Sequence, residues 1–394
     1  MIIAELSNSA SCEKKYYLQQ NLYDYLGKKY KKFYFINTHN IFNKKKLKID
    51  YKFFKKKNII HFSPKNITEL NNFLKKNKIF LINNLSFKFE HMLFYYLTSK
   101  KNIFQISFFN IYALSNYKAE NWLHVNFTQK IKFLFTKKLS LIFHRILVIL
   151  RIVDPIDLLC IAQKNVFKEY SNIKNKKIFL IKKYKNIKNT SVKLPLNQNK
   201  KRQSKKYITF IDTGIFHKDI SKRGHIINDE MVNNYLLFLK TYLNNLSKIF
   251  KKEVIVGLHP SSNFKIYKKT LNKFKLFKYK TEKYILNSFM VLFHESTAIF
   301  SAIFLKKKII SLKSNTLGDY LNTRRLFYVN RFSFVEHDIE KNFKIKKKKL
   351  INDLNLKIKN YEKSIRNSYF TNKDSLPIEK IIDKEIEKFS KKLI

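Results

Sequence analysis

Three segments of the second half decide the reading: YITFIDTG (207–214), EVIVGLHPSSN (253–263) and FMVLFHESTAIFSAIFLKKKIISL (289–312). Each opens with a short apolar run of strand length and then breaks into a polar turn. Tyr207–Ile211 ends in Asp212-Thr213-Gly214. Glu253–Leu258 ends in His259-Pro260-Ser261-Ser262-Asn263. Phe289–Phe293 ends in His294-Glu295-Ser296-Thr297-Ala298, followed by a helix over Ala298–Leu305 and a strand over Lys308–Leu312. With a helix-length amphipathic pattern at Asp229–Phe250 between the first two runs, the alternation predicts a parallel sheet with helices on its faces. All three polar turns then lie at carboxyl ends of one sheet, the edge where open α/β sheets bind ligands.

The first half alternates in the same way. Strands are expected at Ile2–Leu6, Lys32–Asn37, Ile59–Phe62, Ile79–Asn83 and Ile103–Phe108. Leu158–Gln163 and Lys177–Lys182 read as further strands, and Cys12–Lys29, Asn66–Lys76, Phe87–Ser99 and Ile131–Arg151 as helices. The polar, Pro-containing stretch 186–206 reads as a linker, and Lys346–Ile394 is charged with a helical pattern. The organisation expected is therefore α/β with two facing Rossmann-like domains. Residues 1–185 form the first, on the acceptor side, 186–206 the linker and 207–335 a nucleotide-donor domain. Residues 336–394 form a helical tail that could pack back on the first domain, and the cleft between the domains would hold the ligand.

The 394 residues carry 81 Lys+Arg against 28 Asp+Glu, a formal net charge of +53. Such a charge suits a polyanion: nucleic acid, an anionic membrane surface or a phosphorylated substrate. Part of it reflects composition, since the chain is rich in Lys, Asn, Ile, Phe and Tyr and poor in Gly and Pro, as A- and T-rich codons would make it. Hydrophobic residues at 45% exclude global disorder, and 2 Cys exclude a disulfide scaffold or a Cys-rich zinc module. The N-terminus lacks a signal-peptide pattern. The longest apolar run, Leu139–Leu150, is too short to span a bilayer and reads as a buried or interfacial helix. A cytoplasmic protein, peripheral at the inner face of the membrane, is the expectation.

The turn residues carry the chemistry. Ser296 and Thr297 precede an apolar helix, where free N–H groups and hydroxyls hold phosphate; the same position also suits an ordinary N-cap. His259 is biased to extended backbone by Pro260 and could donate to a phosphate or act as a general acid. Alternatively it is a loop histidine with a structural hydrogen bond. Ser261 and Ser262 add phosphate contacts or cap the next turn. Asp212 is the candidate general base, or simply good turn chemistry with Gly214. Glu295 reads as a structural partner for a nearby cation. His217, Asp219, Arg223 and Asp319 are weaker candidates, as are His39 and Asn40 on the acceptor side. No DxD triad or His/carboxylate cluster for a metal is apparent.

These segments resemble the C-terminal half of bacterial GT-B-type glycosyltransferases of surface carbohydrate biosynthesis, and more distantly bacterial sialyltransferases, polysialyltransferases and glycerophosphotransferases. The likeness covers residues 206–330. It rests on a strand ending in His259-Pro260, on Ser296-Thr297 opening a helix, and on Lys307-Lys308-Ile309-Ile310, with Lys308 where Pro is usual. Asp212-Thr213-Gly214 has one acidic residue fewer than the family's turn. The resemblance implies inverting, metal-independent transfer from a nucleotide-sugar, CMP-linked by preference, to a surface polysaccharide or lipid-linked glycan. It implies no cofactor beyond the nucleotide-sugar. Asp212 would be the base, and His259 with Ser296 and Thr297 would hold the donor phosphate. The competing reading is a non-catalytic polyanion-binding protein, acting on single-stranded nucleic acid or an anionic membrane. Against nucleic acid, the aromatics sit in apolar core-like runs and no nucleic-acid-binding signature is present, so no specific nucleic-acid partner is expected.

Overall fold

A computed structural model describes residues 1–8, 20–30, 33–42, 54, 58–85, 89–99, 102–109, 139–140, 142–161, 181–186, 206–215, 228–260, 262–279, 281–341, 345–368 and 376–391. The chain divides into two compact units, each built on one parallel sheet.

The first unit holds β1 (Ile2–Ser7), β2 (Phe33–Asn37), β3 (Ile59–Phe62), β4 (Ile79–Asn83), β5 (Ile103–Phe109), β6 (Ile156–Ile161) and β7 (Ile181–Asn186). Their spatial order is β3-β2-β1-β4-β5-β6-β7. Every residue of β1 and β4 is buried, as expected of central strands covered on both faces. Helices α1 (Gln20–Lys29), α2 (Ile67–Lys76) and α3 (Met92–Thr98), with the helical residues 142–149 as α4, belong to this unit. Asn66 caps α2 by accepting from the Glu69 N–H at 2.8 Å.

The second unit holds β8 (Tyr207–Ile211), β9 (Glu253–Leu258), β10 (Lys275–Lys278), β11 (Ser288–Phe293), β12 (Lys308–Lys313) and β13 (Val335–Asp338), in the order β10-β9-β8-β11-β12-β13. Numbered within the unit this is 3-2-1-4-5-6, the dinucleotide-binding order, with its switch point between β8 and β11. Helix α5 (Asp229–Phe250) covers one face. Asn228 caps it by accepting from Met231 N–H, Asp229 and Glu230 lie in its first turn, and left-handed Lys251 ends it. Its residues Val232, Tyr235, Leu236, Leu239, Leu243 and Leu246 recur at helical spacing and are buried in the core of this unit. The unit is completed by α6 (Phe264–Thr270), α7 (Ile299–Phe304), α8 (Gly318–Phe332) and α9 (Lys347–Ser368).

Helix α10 (Ile378–Lys391) belongs to the first unit. Asp383 accepts from Tyr30 Oη at 2.7 Å and from Tyr25 Oη, and pairs with Lys29 at 2.5 Å. Phe389 packs on Phe104.

Several expectations shift. Of the strand expected at Lys177–Lys182, residues 177–180 lie outside the described residues and Ile181 and Lys182 open β7; Asn186 ends β7 rather than opening a linker, and 187–205 lie outside the described residues. The expected boundary at 335 cuts β13, whose Glu336–Asp338 pair with Ser311–Lys313 of β12. Cys12, Ser261, His217, Asp219 and Arg223 lie outside the described residues. No described helix is long and apolar enough to cross a membrane.

Candidate active site

The turns after β8 and β9 are joined by the Asp212 carboxylate. Asp212 is 1% exposed. It accepts hydrogen bonds from the Tyr267 hydroxyl at 2.6 Å, from the His259 backbone N–H at 3.1 Å and from the Ser262 hydroxyl. Its own N–H donates to Gly257 O at 2.9 Å, extending the β8–β9 ladder by one residue. A buried carboxylate needs such donors to stay folded into the interior. The phenols that surround it, Tyr267 and Tyr235, are held protonated by burial, with the Asp212 charge acting in the same sense.

Turn residues 259–262 close on themselves, with Ser262 N–H donating to His259 O at 2.9 Å. Lys278, the last residue of β10, donates to Ser262 O at 2.7 Å and Pro260 O at 3.2 Å. Asn263 then caps α6. The His259 ring lies directly against the backbone of Gly214: a Cβ at 214 would sit 2.6 Å from His259 Cγ and 2.7 Å from Nδ1. Gly214 is also left-handed, with φ +69°, a conformation that glycine adopts without strain. The Asp-Thr-Gly and His-Pro-Ser-Ser turns are thus one packed structure.

Across the switch point, β11 ends in His294, which is 0% exposed. Its Nδ1 hydrogen-bonds Leu312 O at 2.6 Å, so this nitrogen carries the proton. Burial, then the charge of Arg325, lower its pKa to about 3, the Leu312 carbonyl opposing them. Among the described residues its Nε2 has no hydrogen-bond partner, nor do Thr213 Oγ1 and Tyr235 Oη. The Tyr235 ring stands edge-on to the His294 ring at 6.3 Å. Unpaired buried polar atoms are uncommon and call for an explanation; here three come from the elements that meet where β8 and β11 end.

Ser296 and Thr297 precede a helix that starts one residue later than the expected Ala298. Helix α7 begins at Ile299, and the two residues form the turn before it. Ser296 Oγ accepts from Ala298 N–H at 3.3 Å, while Ile299 and Phe300 N–H groups bond back to Ser296 O and Thr297 O. Thr297 is exposed, Ser296 half-buried and Glu295 buried. The structure therefore brings Asp212, Gly214, His259, Pro260 and Ser262 into one cluster, and places Ser296 and Thr297 at the end of the neighbouring strand β11. Tyr267, Tyr235 and Lys278 were not singled out from sequence, and His294 was named in the turn after Phe293 without a role of its own. The available signals were an aromatic four residues past the Asn263 cap and a histidine closing an otherwise apolar strand. Asp319 lies in the first turn of α8. His39 and Asn40 follow β2, where Asn40 Nδ2 donates to Ser63 Oγ at 3.0 Å. Among the described residues no group of three or more His, Cys, Asp or Glu is placed to hold a metal.

No family model and no curated protein sequence matches this chain. Solved structures do. The wall teichoic acid polymerase TagF is similar over 98% of this chain and 89% of that chain, with 14% identity and TM-score 0.56. The spinosyn forosaminyltransferase SpnP is similar over 99% of each chain, with 10% identity and TM-score 0.53. A TagF structure soaked with CDPG is similar over 100% of this chain and 90% of that chain, with 11% identity and TM-score 0.52. At these identities the likeness establishes the fold. The chain is an α/β protein with the two-sheet GT-B fold.

Proposed function

We propose that this chain is a glycosyltransferase that moves a sugar from a nucleotide-activated donor to a surface polysaccharide or lipid-linked glycan. The observation that carries the reading is the packed pair of turns, His259 on Gly214, beside the switch point of a sheet with dinucleotide-binding order. The neighbours add support, since TagF is named a polymerase, SpnP a forosaminyltransferase, and one TagF structure was soaked with CDPG. A cytidine nucleotide with a CMP-linked sugar is the donor we favour. We propose inverting transfer with neither a metal nor a cofactor. The site of action proposed is the cytoplasm, at the inner face of the membrane.

In this reading the acceptor hydroxyl oxygen attacks the anomeric carbon as the bond to the donor phosphate breaks. The bonding electron pair leaves on the phosphate oxygen, and the hydroxyl proton passes to solvent water. A single displacement inverts the anomeric centre. The imidazole of His259 donates to the phosphate as its charge develops, with the Ser262 turn, Ser296 and Thr297 lining the same edge. Asp212 was the expected base. With three donors already on its carboxylate and 1% exposure, it serves better as the residue that positions the His259 turn.

Calorimetric titration with CMP, CDP, UDP and GDP tests the reading, on wild type and on His259→Ala. Selective binding of one nucleotide, weakened about ten-fold or more in the variant, supports it. Binding of none of the four, with salt-sensitive binding of single-stranded RNA instead, overturns it in favour of the polyanion reading.

A further inference from the structure

We propose that the outward face of α4 and the residues that follow it dock the protein onto a bilayer carrying anionic lipid. This inference does not rest on the transferase reading. Helix α4 uses one face for its own unit: His144 and Val148, with Ser140 just before the helix, recur every four residues and are buried. His144 Nδ1 meets Met92 Sδ at 3.1 Å, and its ring stands edge-on to Tyr95 at 4.7 Å. The opposite face is apolar and open. Ile142, Phe143, Ile146 and Ile149 are 42–72% exposed, and Leu150 and Ile152 continue the surface at 60% and 45%. Phe89 extends it, half-exposed with its ring 5.5 Å from Phe143. Monomeric proteins rarely leave so continuous an apolar ridge to water, and such ridges mark interaction surfaces.

Charge selects the occupant. Between Glu120 and Asp154 the sequence has no acidic residue, and it has Lys130, Lys132, Lys137, Lys138, Arg145 and Arg151. Isoleucine, leucine and phenylalanine on one face, with Arg145 on the same helix and Arg151 just after it, suit a helix lying in the plane of an anionic interface. A second copy of a chain with net charge +53 would instead bring like charges together.

Flotation of the full chain with phosphatidylcholine vesicles, with and without phosphatidylglycerol, tests the proposal. Wild type is expected to float with the anionic vesicles, less so as salt rises. Ile149→Ser and Ile146→Ser should each weaken binding roughly ten-fold, while Leu237→Ser, on the second unit with an exposure between those of the two isoleucines, should leave it unchanged. If the isoleucine variants melt below wild type, Arg151→Glu in the same assay decides. A ten-fold loss supports the proposal, and unchanged flotation overturns it. It is also overturned if wild type does not float or floats equally with neutral vesicles, if the isoleucine variants float like wild type, or if they lose self-association with no vesicle binding in any form.

Discussion

The imidazole of His259 rests on the backbone of Gly214, so closely that a methyl group at 214 would lie 2.6 Å from His259 Cγ. Two turns 45 residues apart in sequence are therefore a single element of the site, and each constrains the other.

Gly214→Ala follows directly. The variant places a Cβ 2.6 Å from the His259 ring and a side chain on a left-handed backbone. Strain of about 1–3 kcal/mol is expected, read as a lower melting temperature. Nucleotide affinity should fall by at least as much as in His259→Ala, because the ring is pushed out of place. Unchanged affinity would show that the ring's position is irrelevant to binding.

Asp212→Asn separates positioning from proton transfer. The amide presents two donors to a pocket that already supplies three. If Asp212 positions the His259 turn, the variant loses about 1–3 kcal/mol of stability and nucleotide affinity falls. If Asp212 is instead the base, turnover collapses while stability and nucleotide affinity hold. Melting, titration and turnover on one preparation distinguish the two.

Acid stability should reveal His294. Its pKa falls from 6.5 to about 3 in the fold, so between those values the unfolded chain binds a proton that the native chain refuses. Stability then rises with pH across that window and is lost on acidification, at about 1.4 kcal/mol per pH unit for this residue. His144 and His337, lowered to about 4 by burial, act in the same direction. Melting temperature measured from pH of about 7 down to about 5 should fall, and His294→Gln should flatten the slope. The lowered carboxylates, Glu340 among them, contribute only at lower pH.

Asp383→Asn should loosen α10. Burial raises the Asp383 pKa, but hydrogen bonds from Lys29, Tyr25 and Tyr30 more than offset this and hold it below the usual value. The variant keeps the shape and loses the charge. Faster amide exchange over Ile378–Lys391 is expected, with about 1 kcal/mol lost because the cluster is partly open to water.

Much of this is legible in the sequence because buried parallel strands are written as apolar runs. Tyr207–Ile211, Glu253–Leu258, Phe289–Phe293 and Lys308–Leu312 are such runs; the structure places the first two as β8 and β9 at the same bounds, and the others as β11 and β12, each one residue longer. The sheet edges are not so written. KLFK of β10 and VEHD of β13 are short and mix charged with apolar residues, as edge strands tend to, and carry no continuous apolar run. The site divides in the same way. His259 and Asp212 stand where strands end, a position that sequence predicts. That the Asp212 carboxylate would be engaged by Tyr267, 55 residues on, depends on how α6 packs, and no local pattern encodes that.

Lys278 gives the edge strand β10 a hold on the turn that bears His259, through two backbone carbonyls. An edge strand is among the first parts of a sheet to open. When β10 detaches, the 259–262 turn loses its outer clamp while Asp212 still grips it from within. Breathing at the margin of the sheet is thereby transmitted to the histidine, and a ligand that stills the turn should slow amide exchange in β10, a strand it never touches.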